Sequence, residues 1–168
     1  MDVFEAIEKR ASVRELVPVE ISGDDIRKIL DAGRHAPSGM NVQPLEYIVV
    51  KDKGAIGKLE KVQPFIAQAS VVIAVTADGN ARFWLEDAAA AAENMLLAIT
   101  ALGYASCWVE GTLAKQEQWA KKLLGVPDDR RLIILLPIGK PIAAPVQKEK
   151  KPLTDIAYSE RYGSRLQI

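Results

Sequence analysis

Cysteine and histidine are nearly missing from this sequence: its 168 residues contain one of each, Cys107 and His35. A single cysteine cannot form a disulfide within the chain, which fits a reducing compartment. Neither CxxC nor HExxH occurs, so no zinc-binding pattern is present. The sequence therefore favours neither a disulfide-stabilised fold nor a zinc enzyme.

An excess of charge of one sign and a long apolar run are also lacking. Lysine plus arginine and aspartate plus glutamate number 22 each, which argues against a general nucleic-acid-binding surface. No stretch reaches the roughly 20 apolar residues of a membrane span. The opening "MDVFEAIEKR" carries acids where a signal peptide carries bases. We therefore expect a cytoplasmic protein.

Three common catalytic or nucleotide-binding motifs do not occur: GxSxG, GxxxxGK[ST] and GxGxxG. The last absence bears on cofactors, because GxGxxG forms the phosphate-binding turn of Rossmann folds. If the chain uses a nicotinamide, we expect it to be held in another way.

The pattern of apolar residues predicts helices around about four strands, in one domain over residues 1–168. A short helix is predicted to end near Arg10, a second to begin at the cap Ser22 and to end by Pro37, and a long alanine-rich one to end at Gly103. The strands are predicted in "EYIVVK", "SVVIAVTA", "YASCWVEG" and "RRLIILLPIG". Since their order is not a regular βαβα alternation, we expect the α+β class.

The helix "WLEDAAAAAENMLLAITALG" carries small side chains on several faces. Small residues allow a close approach of two backbones, which favours packing across a dimer interface. The alternative is a central core helix of a monomer. The proline- and lysine-rich segment after Gly139 favours the dimer, because it has little with which to pack on its own subunit.

The stretch "KRASVREL" sets Arg10, Ser12 and Arg14 at alternate positions. In an extended chain these side chains share one face, and the two arginine stems lie about 13 Å apart. Such a row suits a long ligand with an anionic end, because arginine binds phosphate through two parallel hydrogen bonds. The alternative is a solvated helix end, and this stretch alone does not decide between them.

Three further stretches carry ligand-binding residue types. "HAPSGMNVQPLEY" combines Gly39, which allows close backbone approach, with Asn41 and Gln43, whose amides suit the edge of a heterocycle. "WVEG" ends a predicted strand with a glycine, and "KEKKP" adds late basic residues. Taken singly, each is also compatible with a turn, a strand end or a solvated tail.

Together and in this order, these stretches resemble the nitroreductase family of FMN-dependent NAD(P)H oxidoreductases. The resemblance implies a homodimer with a mixed, largely antiparallel sheet of four to five strands, two interfacial FMN sites and a C-terminal arm that crosses to the partner. It also implies the following cofactor-binding positions: Arg10, Ala11, Ser12, Arg14, Pro37, Ser38, Gly39, Asn41, Gln43, Glu110, Gly111, Lys148 and Lys150.

The same resemblance implies roles for these residues. Arg10, Lys148 and Lys150 would hold the phosphate, with the lysines arriving from across the dimer, and Arg14 would lie beside the N1/O2 edge of the ring. Residues 37, 38, 39 and 41 would come from the partner, with Gln43 nearby, and residues 110 and 111 would present backbone to flavin N5. No protein side chain would be catalytic in itself, because the flavin carries the chemistry.

The implied reaction is a ping-pong cycle: NADH or NADPH reduces the flavin, leaves, and is replaced by a nitroaromatic, a quinone or a free flavin. Two alternatives stay open. One is a flavin-binding sensor or carrier, and the other is a different flavin reaction on the same scaffold, such as dehalogenation or flavin fragmentation. The sequence does not choose between NADH and NADPH.

The sequence departs from the family pattern in places. Ala11 stands where many relatives carry a second basic residue, and Leu45 stands where an aromatic residue is common. Only "TADGNARFW" fills the place of a longer insertion, so we expect an open site, with Phe83 and Trp84 either as walls or as anchors of the long helix. We expect His35 to bond to backbone and Cys107 to be a core residue.

Overall fold

The structure is a computed structural model that describes residues 1–167. Its helices are α1 (Val3–Lys9), α2 (Gly23–Arg34), α3 (Lys53–Lys58), α4 (Trp84–Ala101), α5 (Gly111–Ala114), α6 (Glu117–Leu124) and α7 (Leu153–Ile156). Its strands are β1 (Leu16–Val17), β2 (Leu45–Val50), β3 (Val71–Asp78), β4 (Ala105–Ser106) and β5 (Arg130–Pro141). Short 3₁₀ turns lie at Gly39–Asn41, Leu59–Lys61 and Pro64–Gln68.

The five strands form one antiparallel sheet in the order β1-β5-β3-β2, and β4 also pairs with β5. β3 and β5 occupy the centre, which explains why both are almost continuously apolar and buried. The α+β class and the largely antiparallel sheet are confirmed. The prediction of a full strand over "YASCWVEG" is wrong: only Ala105–Ser106 is a strand, followed by an isolated bridge from Val109 to Leu135.

Alternate residues of β3 face two different layers. Ile73 and Val75 belong to a core shared with α2 and α4, whereas Val72 and Ala74 belong to a core on the side of α3, α5 and α6. The sheet thus lies between two helical layers. The predicted cap of α2 is confirmed, because the Ser22 side chain accepts a hydrogen bond from the backbone N–H of Asp25 at 3.0 Å.

The first helix buries little of its own apolar surface. Ala6 is its one buried residue, whereas Phe4 is 75% exposed, and Val3 and Ile7 are exposed as well. The spacing of these residues therefore predicted the helix but not burial within this chain. Exposed apolar side chains also occur near the C-terminus, at Leu153, Ile156 and Tyr162. Within residues 1–167, no helix is both long enough and apolar enough to cross a bilayer.

Candidate functional site

The segment after α1 is extended, because it pairs with β4 instead of continuing the helix. Arg10 has extended backbone angles and ends α1. The N–H of Val13 donates to the carbonyl of Ser106 at 2.9 Å, and Ser12 forms a parallel bridge with Ser106. Of the two interpretations of "KRASVREL", the extended one is therefore correct and the solvated helix end is wrong.

This extended segment forms one wall of a cleft of about 270 Å³, and the chain near Lys148 forms the other. We call it the cationic cleft. It is lined by Arg10, Ala11, Ser12, Arg14, Val146, Gln147, Lys148 and Lys150. Four of these side chains are cationic and none is anionic. The cleft is thus suited to a phosphate or another compact anion.

Gln147 holds the two walls of the cationic cleft together. Its Nε2 donates to the carbonyls of Arg10 at 2.8 Å and Ile7 at 3.1 Å. Both carbonyls belong to the last turn or cap of α1, where helix carbonyls lack partners inside the helix. Lys148 and Lys150 therefore line the cleft of their own chain and need no dimer crossing to reach it. That the C-terminal arm crosses to a partner subunit stays a prediction.

Arg10 also has an anionic neighbour outside the lining. Its Nε lies 3.4 Å from Oε1 of Glu93 on α4, and the Glu93 side chain is about half exposed. An ion pair as accessible as this one is weak. It can orient the guanidinium without cancelling its attraction for a phosphate.

A second cavity, of about 190 Å³, shares Arg14 with the cationic cleft. We call it the 110–112 cavity. Its other lining residues are Gln63, Phe65, Cys107, Trp108, Val109, Glu110, Gly111 and Thr112. Two side-chain hydrogen bonds shape it: Trp108 Nε1 donates to Glu110 Oε2 at 2.8 Å, and Gln63 Nε2 donates to Thr112 Oγ1 at 3.2 Å. Polar and aromatic groups thus continue from Arg14 towards α5.

The backbone at Glu110 and Gly111 turns sharply from the end of the sheet into α5. The Val109 N–H and carbonyl both bond to Leu135 of β5, at 3.1 and 2.9 Å, which fixes the start of this turn. Gly111 is the first residue of α5, and within residues 1–167 its N–H donates no hydrogen bond. That amide is therefore available to a ligand, and its approach to flavin N5 stays a prediction.

The loop at residues 37–43 lies in a different place. Pro37, Ser38 and Gln43 line a third cavity of about 130 Å³ with parts of α2 and β2, and that cavity shares no lining residue with the cationic cleft. Gly39 and Asn41 line neither of the two. A single chain therefore does not bring the two predicted halves of the site into one cavity.

Cys107 is a buried residue beside the 110–112 cavity, and His35 is an exposed residue at the end of α2. Cys107 is 2% exposed, and burial raises the pKa of its thiol, with the charge of Arg14 and a hydrogen bond from Ser12 opposing the rise. His35 is exposed, and its Nδ1 lies 2.8 Å from the carbonyl of Asp31. Both observations agree with the sequence-based expectations. No cluster of His, Cys, Asp and Glu within residues 1–167 is arranged to hold a metal ion.

Phe83 and Trp84 line none of the three cavities described above. Phe83 lies against Gly39, and the Trp84 ring lies 5.0 Å from the guanidinium of Arg131. These contacts fit the alternative that the two residues anchor the start of α4. Sequence reasoning missed Gln63, Thr112 and Gln147, and no motif in the sequence marks these three.

Comparison with known proteins gives one consistent family. The sequence matches the nitroreductase family over residues 7–63 and 55–140. A protein of Methanothermobacter thermautotrophicus, named an NADH dehydrogenase/NAD(P)H nitroreductase, is 31% identical over 153 residues, which are 86% of this chain and 80% of that protein.

Solved structures agree with this family. One from Bacteroides thetaiotaomicron, named an NADH dehydrogenase/NAD(P)H nitroreductase, superposes with a TM-score of 0.87 at 27% identity, covering 95% of this chain and 98% of that one. An FMN-dependent nitroreductase from Clostridium difficile has a TM-score of 0.85 at 24% identity, covers 95% and 99% of the two chains, and supports the fold alone. With its sequence match, its fold and its relatives in agreement, the chain belongs to the nitroreductase family.

Proposed function

We propose that this chain is an FMN-dependent NAD(P)H oxidoreductase that passes two electrons to a small acceptor, a nitroaromatic, a quinone or a free flavin. The observation that carries the proposal is the cationic cleft and the neighbouring 110–112 cavity, which both have Arg14 in their lining. An anion-binding cleft beside a cavity with aromatic and amide groups matches a ligand with a phosphate tail and a polar ring. The name of the Methanothermobacter relative supports NAD(P)H as the electron donor, and the four cations of the cleft support a phosphate-bearing cofactor such as FMN.

The residues of the cleft fit the phosphate of FMN. Arg10, Lys148 and Lys150 would bind it, and Ser12 would donate a hydrogen bond along the tail. Ala11 contributes no charge. Lys148 and Lys150 would therefore supply a larger share of the attraction for the phosphate than in a relative with a second basic residue at this position. Within residues 1–167 no carboxylate lines the cleft. The Glu93 carboxylate contacts Arg10 from outside the lining and is half exposed, so solvent would screen its repulsion of a bound phosphate.

When bound, FMN would supply the hydride and two-electron chemistry that protein side chains lack. Arg14 would stabilise the negative charge that the ring gains on reduction, because a fixed cation at that place costs no reorganisation. The free N–H of Gly111 would orient the ring, and Glu110 would hold the turn that presents it. NAD(P)H and then the acceptor would stack in turn over the exposed face of the flavin ring.

The loop at residues 37–43 would complete the site from a second copy of the chain. Its separation from the cationic cleft within one chain supports this arrangement. Pro37, Ser38, Gly39, Asn41 and Gln43 would then meet the flavin from the partner subunit. The exposed apolar side chains of α1 offer surface for such a homodimer.

The test is to incubate the purified protein with FMN, remove the unbound FMN, record the visible spectrum of the protein, and add NADH or NADPH without oxygen. We expect a flavin spectrum that at least one donor bleaches rapidly. A protein that stays colourless with added FMN would refute the proposal. A bound flavin that neither donor bleaches would favour the sensor or carrier.

Two variants test the assigned roles against a matched control. Arg10→Ala should weaken FMN binding by about tenfold to a hundredfold, because it removes a charge-assisted hydrogen bond. Arg14→Ala should slow reduction by NAD(P)H more than it weakens binding. Arg27→Ala, which removes an exposed arginine of α2 outside the cleft, should change neither. Unchanged reduction kinetics in Arg14→Ala would overturn the role of Arg14.

A further inference from the structure

Asp87 is a buried carboxylate in the first turn of α4, far along the chain from every residue named in the proposed site. It is 5% exposed. Its Oδ1 accepts a hydrogen bond of 2.9 Å from the backbone N–H of Gly39. A carboxylate at this depth costs free energy unless hydrogen bonds or opposite charge compensate. The Gly39 amide and the N-terminal end of α4 provide that compensation.

The loop that contains Gly39 has an unfavourable backbone conformation. Met40, Asn41 and Gln43 have φ angles of 53°, 55° and 53°. In this left-handed region the backbone of a residue with a side chain is less stable by on the order of 1 kcal/mol or more. Three such residues among four cannot hold their conformation unless their surroundings fix it.

The hydrogen bonds inside the loop fix its shape but not its place on the molecule. The N–H of Gln43 donates to Oγ of Ser38 at 3.1 Å, and the N–H of Asn41 donates to the carbonyl of Ser38 at 2.9 Å. Both partners belong to the loop itself. The bond from Gly39 to Asp87 is different, because it ties the loop to a helix of the core across 48 positions of sequence.

We infer that Asp87 is a positioning residue, which holds the loop at residues 38–43 in the conformation that meets the flavin. The inference rests on the proposed function, since it takes this loop as part of the FMN site. Asp87 itself touches neither cofactor nor substrate in this assignment. It acts through the amide of Gly39, and the Phe83 ring closes the loop from the same helix end.

Two replacements of Asp87 separate the hydrogen bond from the negative charge. Asp87→Ala removes the acceptor, whereas Asp87→Asn keeps an amide oxygen at the same place. Glu86→Ala is the matched control, because Glu86 is an exposed acid in the same turn of α4. All variants are made in the full chain.

The first measurement is amide hydrogen exchange of residues 38–43 in the protein without FMN. Asp87→Ala should speed this exchange about tenfold or more, in line with the loss of a charge-assisted hydrogen bond. Asp87→Asn should restore slow exchange, and Glu86→Ala should stay within about twofold of the wild type. Exchange in β3 serves as the check that each variant is folded. If Asp87→Ala does not fold, Asp87→Ser removes the same contact with a shorter polar side chain.

The second measurement is the dissociation constant of FMN, from the quenching of flavin fluorescence. Asp87→Ala should bind FMN about tenfold more weakly, while Asp87→Asn and Glu86→Ala should bind it normally. Unchanged loop exchange in Asp87→Ala would overturn the positioning role. Faster exchange with unchanged FMN affinity, or no rescue by Asp87→Asn, would overturn it too. A wild-type protein that binds no FMN would instead refute the proposed function, and the exchange result would still show whether Asp87 holds the loop.

Discussion

Replacing Gly39 with alanine tests how closely the loop at residues 38–43 packs on α4. A Cβ at Gly39 would lie 2.3 Å from Cδ2, 2.8 Å from Cγ and 3.0 Å from Cβ of Phe83. Rotation of the Phe83 ring can relieve the first two contacts. It cannot relieve the third, because Cβ does not move when χ1 rotates. Gly39→Ala must therefore displace backbone as well as the ring.

The expected loss of stability follows from that overlap. Inserting a methyl group into a packed site costs about 1–3 kcal/mol. For a chain of this size, 1 kcal/mol lowers the midpoint of thermal unfolding by about 2–4 °C, so Gly39→Ala should lower it by about 2–12 °C. Circular dichroism at one fixed protein concentration measures the change, since dimerisation would make the midpoint depend on concentration.

A double-mutant cycle shows whether Phe83 is the cause. In a Phe83→Ala background the two ring contacts are gone and only the 3.0 Å contact with Cβ remains. The cost of Gly39→Ala should therefore fall by about 0.5 kcal/mol or more in that background. Gly57→Ala is the control, because a Cβ at Gly57 in α3 meets nothing within 4 Å. Equal losses from Gly39→Ala in both backgrounds would refute the steric explanation.

Three further predictions concern other parts of the molecule. A hydrogen bond from Arg131 holds the pKa of Glu117 below its usual value of 4.5. The wild type should therefore be more stable than Glu117→Gln at pH 7, and this advantage should shrink as the pH falls below about 4.5. Urea unfolding at several pH values measures the two stabilities, and a difference between them that does not change with pH would contradict the prediction. Gln147→Ala should weaken FMN binding about threefold to tenfold, because it releases one wall of the cationic cleft. The control Gln118→Ala, on the exposed side of α6, should leave FMN binding unchanged. Equal FMN affinities of the two variants would contradict the role of Gln147. The buried Cys107 should react with a thiol reagent at pH 8 at least about tenfold more slowly in the folded protein than in urea, and equal rates would show that the thiol is accessible.

Local patterns in the sequence predicted much of the fold. The central strands were found because β3 and β5 are apolar along almost their whole length, and α2 was found from its cap at Ser22. The alternation of Arg10, Ser12 and Arg14 indicated an anion-binding segment, and this signal too depends only on residues that are neighbours in the chain. The helical alternative could not be dismissed, because the pairing of Ser12 with Ser106 joins positions far apart in sequence.

The predictions that failed depend on contacts between positions far apart in the sequence. The stretch "YASCWVEG" has the composition of a strand, yet pairing with β5 stops after Ser106 and resumes only at Val109. Val3, Phe4 and Ile7 follow the period of a helix, but periodicity does not tell whether the apolar face is covered by the same chain. Gln147 carries no local signal, because its role depends on carbonyls about 140 positions earlier.

The cationic cleft raises the question of why a chain without net charge gathers four cations around one small space. Like charges at short range repel, so the arrangement needs other interactions to hold it, and Gln147 supplies them through backbone carbonyls that α1 leaves unpaired. The two walls also connect to much of the exposed apolar surface: Phe4 and Ile7 precede one wall in α1, and Leu153 and Ile156 follow the other. If a second copy of the chain covers that surface, both walls become fixed at once. The proposed dimer and the proposed cofactor site are then physically linked, because the contacts that bury the apolar side chains also hold the cations where an anionic ligand neutralises them.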